Sequence, residues 1–302
     1  MKSSLFLFFT LLIGCAAKAQ PLTFKEDRFV IALYGNYLQD NLRWSVAGNS
    51  DGQNPSILSE VRWKNLKLRG IGLDVQVNIW SGILLKGKYY RGTTYGGEVT
   101  DTDYSQDNRT NPTYQAILNS DKGYAVSYAA ALACRFKVLP VLTIAPYAGY
   151  HKSRQSLWLQ EFNDQAPAAQ KKLNSTYQTN WAGPMIGLDA NFALINRLSL
   201  RTSLSYSQVK YKAVADWNLI DAFAHPVSFE HTANGYEASV ILQVHMRIIT
   251  PLSAFIRSNY THGATGRGTD ELFLVDGGSL KSQLNEAVRS SKGAGIGVCY
   301  YF

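Results

Sequence analysis

The chain has 302 residues, a formal net charge of +8 and 17% charged residues, with 18 Tyr against 3 Met. Beyond its N-terminal stretch it offers no uninterrupted apolar run of the roughly 18 or more residues that a transmembrane helix needs. Its basic excess carries no cluster interleaved with aromatics and no nucleic-acid motif, so nucleic acid is not an expected partner. The palette suits alternating strands with aromatic girdles.

Residues 1–19 combine a charged start (Lys2), an apolar run from Leu5 to Ile13 and an Ala17-Lys18-Ala19 ending, the pattern of a secretory signal peptide. Cleavage after Ala19 is expected. A competing signal, Leu12-Ile13-Gly14-Cys15, resembles a lipobox that would lipidate Cys15. The rest, 20–302, reads as one all-β domain: a ten-stranded antiparallel transmembrane β-barrel. Strands are expected near 27–43, 57–78, 83–101, 122–137, 141–160, 179–194, 198–216, 230–249, 252–265 and 289–302.

Tyr124 to Phe136 illustrates the pattern. Tyr124, Val126, Tyr128, Ala130, Leu132, Cys134 and Phe136 alternate with alanines, Ser127 and Arg135, a lipid-facing set against a small, polar lumen set. Likewise, Leu85 and Tyr89 lie opposite Lys86, Lys88 and Tyr90, which are expected to line the lumen and pair with carboxylates. Short links at 80–82, 138–140, 195–197 and 250–251 turn the chain at one rim. Long polar links at 44–56, 104–121, 161–178, 218–229 and 266–288 fall at the other, the asymmetry of bacterial barrels with short turns facing the periplasm. Several runs approach twice the about 9–11 residues that span a bilayer, so the barrel is expected to project above the membrane.

The glycine-rich Gly263–Thr269 lacks the ending of a phosphate loop and reads as an outer loop. Cys134 and Cys299 fall on opposite sides of the wall by parity and have no CxxC or Cys/His metal spacing; neither a metal nor a cofactor is expected. The chain ends in a strand on Phe302, with Tyr300, Val298 and Ile296 on the same face. That ending resembles the closing strand of outer-membrane barrels.

Three segments resemble the omptins, the ten-stranded outer-membrane proteases of Gram-negative bacteria: Leu58-Ser59-Glu60-Val61-Arg62-Trp63-Lys64, Gly96 to Tyr104, and Ala148-Gly149-Tyr150-His151-Lys152-Ser153-Arg154-Gln155-Ser156. The resemblance implies two facing pairs at the barrel mouth that hold a hydrolytic water, Asp-x-Asp on one side and Asp-x-His on the other. Asp101 and Asp103 match the first pair. In the second, Asp216 matches but Asn218 stands where histidine is required, and an asparagine amide is no general base near neutral pH. The family's loop histidine is also missing from Asp107 to Pro112. His225 or His231 is a candidate substitute, each otherwise a polar rim residue.

The stretch Ala215 to Glu230 looks more like the omptin-fold barrels of environmental relatives of the chlamydiae. The expectation is therefore a non-proteolytic barrel of the outer membrane with a surface-binding or structural role. An omptin-like aspartic endopeptidase with a rearranged base is the alternative, and a small-solute pore a third reading. The expected partner is outer-membrane lipid, with anionic lipopolysaccharide the best fit to the basic chain.

Overall fold

The structure, a computed structural model, describes residues 28–162 and 171–302. The expected signal peptide and Cys15 lie outside the described residues. Twelve strands are present among them: β1 (Phe29–Val46), β2 (Ser59–Trp80), β3 (Ile83–Gln106), β4 (Thr110–Asn119), β5 (Gly123–Cys134), β6 (Phe136–Leu139), β7 (Leu142–Leu159), β8 (Ser175–Ile195), β9 (Leu198–Asp216), β10 (Phe229–Ile249), β11 (Leu252–Phe273) and β12 (Ser279–Tyr301).

They make ten staves, because β4, β5 and β6 occupy one position in turn. β4 pairs with the upper part of β3, β5 with the lower part of β3 and with β7, and β6 with β7. All pairings are antiparallel, and β1 pairs with both β2 and β12, so the sheet is closed and has no free barrel edge. At the seam Phe302 donates its N–H to the Phe29 carbonyl at 2.9 Å, and the two rings lie 5.4 Å apart. No described helix is long and apolar enough to cross a membrane.

Alternation places side chains as the pleat requires. Near the short turns, exposed Leu33, Ile71, Leu85, Leu132, Ile186, Leu204, Leu242, Ile256 and Val298 form an outward apolar band. Trp80, Phe136 and Phe302 are exposed at its lower border, and Tyr37, Tyr95, Tyr150, Tyr206, Tyr236 and Tyr260 at its upper border, two aromatic girdles of the kind that meet the bilayer interfaces. The opposite face lines a polar lumen. There Lys86 is buried and paired with Asp189, with its ammonium 3.9 Å from the centre of the Tyr147 ring, the lysine–carboxylate pairing that the alternation of β3 implies. Tyr147 lies over Gly187, where a Cβ would sit 2.2 Å from the ring; this glycine is required by the close approach. Cys134 is exposed on the outer face and Cys299 buried on the inner one, both as free thiols.

The strands run further up than their composition suggests. The stretches 104–121 and 266–288, expected to be loops, are mostly strand: β3 reaches Gln106 and β4 spans Thr110–Asn119, while β11 and β12 meet at a tight connection between Phe273 and Ser279. Gly263–Thr269 accordingly lies inside β11, not in an outer loop. The physical reason is that above the membrane the outer face is solvated and needs no apolar residues, so the alternation loses its hydrophobic half.

Candidate functional site

In the projecting half of the barrel the inner face becomes apolar. Trp44 (β1), Trp63 (β2), Tyr177 and Trp181 (β8), Val209 and Tyr211 (β9) and Phe229 (β10) are all buried. Contacts reach across the lumen: Tyr177 stacks on Trp63 with centroids 5.2 Å apart and on Trp44 at 5.7 Å, and Trp44 meets Phe229 at 5.7 Å. Since β2 and β8 are not neighbours in the sheet, these contacts close the lumen with a packed aromatic layer.

Tyr177, Tyr211 and His231 form a polar chain within this layer, whereas the buried indole N–H groups of Trp44, Trp63 and Trp181 have no hydrogen-bond partner among the described residues. The Tyr177 hydroxyl is 2.6 Å from the Tyr211 hydroxyl and 2.8 Å from Nδ1 of His231, whose Nε2 lies 3.1 Å from Oδ1 of Asp270. His231 is fully buried, with Trp44 edge-on at 4.8 Å. It is a core residue, and the expectation of a rim histidine is corrected: parity on β10 puts it inside with Phe229.

Asp101 and Asp103 lie on β3 above the membrane band, opposite Val61 and Ser59 of β2. Both share the inward parity of buried Val99. Burial and the neighbouring Asp103 push the Asp101 carboxyl up to about 7, against hydrogen bonds from the Trp217 indole and the Thr102 backbone. Asp103 is raised as well, chiefly by burial, with Ser59 opposing. Asp216 closes β9, where alternation puts it on the outward side with Lys210 and Lys212. Its neighbours Ala215 and Trp217 turn inward instead, Trp217 packing against Phe229 at 4.8 Å and Trp44 at 6.4 Å. The indole thus reaches from the end of β9 to the Asp101 carboxyl, to which it donates a hydrogen bond.

Asn218 is fully employed. Its Oδ1 accepts from the Asn174 N–H (2.9 Å) and the Ser175 hydroxyl (3.1 Å), and its Nδ2 donates to the Lys172 carbonyl at 2.8 Å. It fastens the connection leading into β8. His225, from the loop between β9 and β10, places Nδ1 2.6 Å from Oδ1 of Asp216. Of the expected residues, the structure therefore joins Asp101 with Asp103 and Asp216 with His225, and no polar contact links the two pairs directly.

A second rim cluster escaped sequence reasoning. Arg109, at the tip of the β3–β4 hairpin, folds back onto buried Glu60 of β2 with Nε at 3.1 Å and Nη2 at 2.6 Å, and Arg62 approaches the same carboxylate at 2.5 Å. Burial would raise Glu60, but the two guanidiniums outweigh it and hold the carboxyl below its ordinary value. A charged residue at a hairpin tip gives no sign in the sequence of which way it folds.

The fold and this mouth can now be set beside known proteins. A family model described as Pom, Protochlamydia outer membrane protein, matches residues 33–302. The chain belongs to that family. It is a barrel of the outer membrane in a Gram-negative envelope, and its fold is omptin-like. The outer membrane protease OmpT from Escherichia coli matches with a TM-score of 0.69 and 14% identity over 93% of this chain and 99% of that one. The translocator domain of the autotransporter NalP from Neisseria meningitidis matches at 0.40 and 9% identity over 100% and 97%, and a major outer membrane protein from Thermus thermophilus at 0.34 and 13% over 89% and 99%. No curated protein sequence matches significantly.

Proposed function

We propose that this Pom-family barrel is non-proteolytic and serves at the cell surface as a binding or structural element, with anionic outer-membrane lipid as its partner. The observation that carries this reading is the Trp217 indole, which reaches from the end of β9 to the Asp101 carboxyl and donates a hydrogen bond to it. A hydrolytic water needs a base within about 3 Å and a carboxylate free to position it, and here the carboxyl is engaged by the indole. Asn218 supports the reading twice, since it has no basic nitrogen and all its polar atoms hold backbone or Ser175.

The assay is cleavage of basic peptides by refolded protein in lipopolysaccharide. No turnover is expected. Cleavage abolished by Asp101→Ala would overturn the reading.

One observation favours the alternative endopeptidase: His225 is oriented by Asp216 at 2.6 Å, as a general base would be. On that reading His225→Ala removes the activity while the fold stays intact. The pore reading is countered by the aromatic layer across the lumen, and a flat planar-bilayer trace is the expected result.

A further inference from the structure

The end of the barrel that carries the short turns is basic. No aspartate or glutamate occurs in residues 75–86, 130–145, 190–202 or 238–260, which hold its four turns, while Arg28, Lys137 and Arg197 are exposed there. By the asymmetry of bacterial barrels this end faces the periplasm.

Inside this rim lies a small cavity walled by the β8–β9 turn and by inward residues of β9, β10, β11 and β12, among them Arg197, Ser199, Arg201, His245, Ser253 and Tyr301. No carboxylate belongs to its wall, and neither Arg197 nor Arg201 has an ion-pair partner among the described residues. Arg201 points into the lumen from β9 and donates from Nη2 to the Tyr301 hydroxyl at 2.6 Å. That hydroxyl keeps its own proton to donate elsewhere. His245, only 3% exposed, has Nε2 3.2 Å from Oε1 of Gln243, whereas its Nδ1 has no hydrogen-bond partner among the described residues. An amide oxygen only accepts, so Nε2 carries the proton and Nδ1 is a bare acceptor.

We propose that this cavity binds a phosphate ion in its monohydrogen form, held by Arg197 and Arg201 and donating its P–O–H proton to Nδ1 of His245. The site lies at the other end of the barrel from the mouth and does not depend on what the mouth does. Two guanidiniums without carboxylates supply the charge, and a partly buried cation in a lumen is costly until an anion meets it. The hydroxyls of Ser199, Ser253 and Tyr301 come from three different strands. Donors spread in this way suit a tetrahedral ion, whereas a planar carboxylate is gripped by a single guanidinium fork. His245 is the selective element. Sulfate has the same charge and shape but no proton, so it sets an acceptor against the unpaired Nδ1. The basic rim gathers anions at the opening.

Isothermal titration of inorganic phosphate into the refolded full chain, in phosphate-free detergent at pH 7.5 and constant ionic strength, tests this. One saturable ion per barrel is expected, with sulfate at least fivefold weaker. Arg201→Gln lowers phosphate affinity at least tenfold and Arg197→Ser at least threefold, whereas Lys137→Ser, outside the cavity wall, leaves it within twofold. His245→Phe brings phosphate down to the affinity of sulfate. Heat-modifiable migration on gels shows which variants are folded, and Arg197→Ser, on an exposed turn, keeps the test decisive if Arg201→Gln does not fold. No saturable binding by wild type overturns the site, and so does unchanged affinity in the folded arginine variants. Sulfate or acetate binding as well as phosphate does overturns the assignment of the ion.

Discussion

The two halves of one barrel wall have opposite polarity, and β9 shows the change within a single strand. Below, Ser203, Ser205 and Ser207 face in while Leu204 and Tyr206 face out; above, Val209, Tyr211, Ala213 and Ala215 face in while Gln208, Lys210 and Lys212 face out. Side-chain parity never slips. What reverses between Ser207 and Val209 is the solvent, from lipid outside and a polar lumen to water outside and a dry core. The lower half is built as a membrane protein and the upper half as a soluble β-barrel with an aromatic interior. The mouth, where a hydrolytic cleft would need to stay open, has instead been given a core.

The largest test of this contrast is Trp63→Ala. Removing a fully buried indole from a packed layer costs about 3–5 kcal/mol. The upper half is expected to become protease-sensitive, with Trp44 fluorescence exposed, while heat-modifiable migration shows the lower half still closed. Loss of both halves together would show that the wall is one cooperative unit and that the division is only chemical.

A smaller effect is expected from the lower lumen. Asp189→Leu leaves the buried Lys86 without its carboxylate, and an unpaired buried charge typically costs about 3–5 kcal/mol. A polar cavity of about 220 Å³ beside this pair lets water share the charge, so about 2 kcal/mol is expected. Adding Lys86→Met should recover most of it in urea unfolding. A double variant no better than the single one would mean that the lumen is held by packing and not by its pair.

How much of this was legible differs between the halves for the same reason. In the lower half, lipid outside and a polar lumen make the alternation visible, and Tyr124 to Cys134 declares its faces residue by residue. In the upper half the outward residues are polar whether the segment is strand or loop. Thr269 to Lys281 therefore reads as loop although most of it is paired. The inward signal was present in Val209, Tyr211, Ala213 and Ala215, but it points to a core only once the barrel has placed them opposite Trp44 and Trp63. Parity would also have put His231 inside with Phe229. The docking of Arg109 on Glu60 and of Trp217 on Asp101 depends on loop return paths that no local pattern encodes.

The pH dependence of the rim sharpens the contrast further. Asp101, raised from 3.8 to about 7, is protonated in folded and unfolded chains alike below pH 4, so its contribution is fully present there. As pH rises from about 4 the unfolded chain gives up this proton while the folded carboxyl keeps it, so the rim loses stability until the folded carboxyl ionises near 7. Asp103 acts in the same direction; Glu60, lowered by its guanidiniums, acts in the opposite one at acid pH. Asp101→Asn keeps an acceptor for Trp217 and should stabilise the rim by about 1–2 kcal/mol at pH 8, with no gain at pH 4. A gain that is the same at both values would deny that the carboxyl is desolvated.

The smallest effect is expected at the position that bears most on function. Asn218→His supplies the residue that the omptin resemblance asks for, and a cleft awaiting only its base would answer with cleavage. Here the substitution removes an amide that accepts from Asn174 and Ser175 and donates to Lys172. The expected outcome is a loss of about 1 kcal/mol, seen as faster proteolysis between β7 and β8, and no hydrolysis of basic peptides, because Trp217 still engages the Asp101 carboxyl. Pairing it with Trp217→Ala decides whether the indole or the histidine is what the mouth lacks. Cleavage in the double variant but in neither single one would mean that an omptin-type arrangement lies beneath the aromatic closure. Inactivity in all three, with the fold retained, would mean that Asp216 faces the wrong way for the chemistry, as its place beside Lys210 and Lys212 on the outward side of β9 requires.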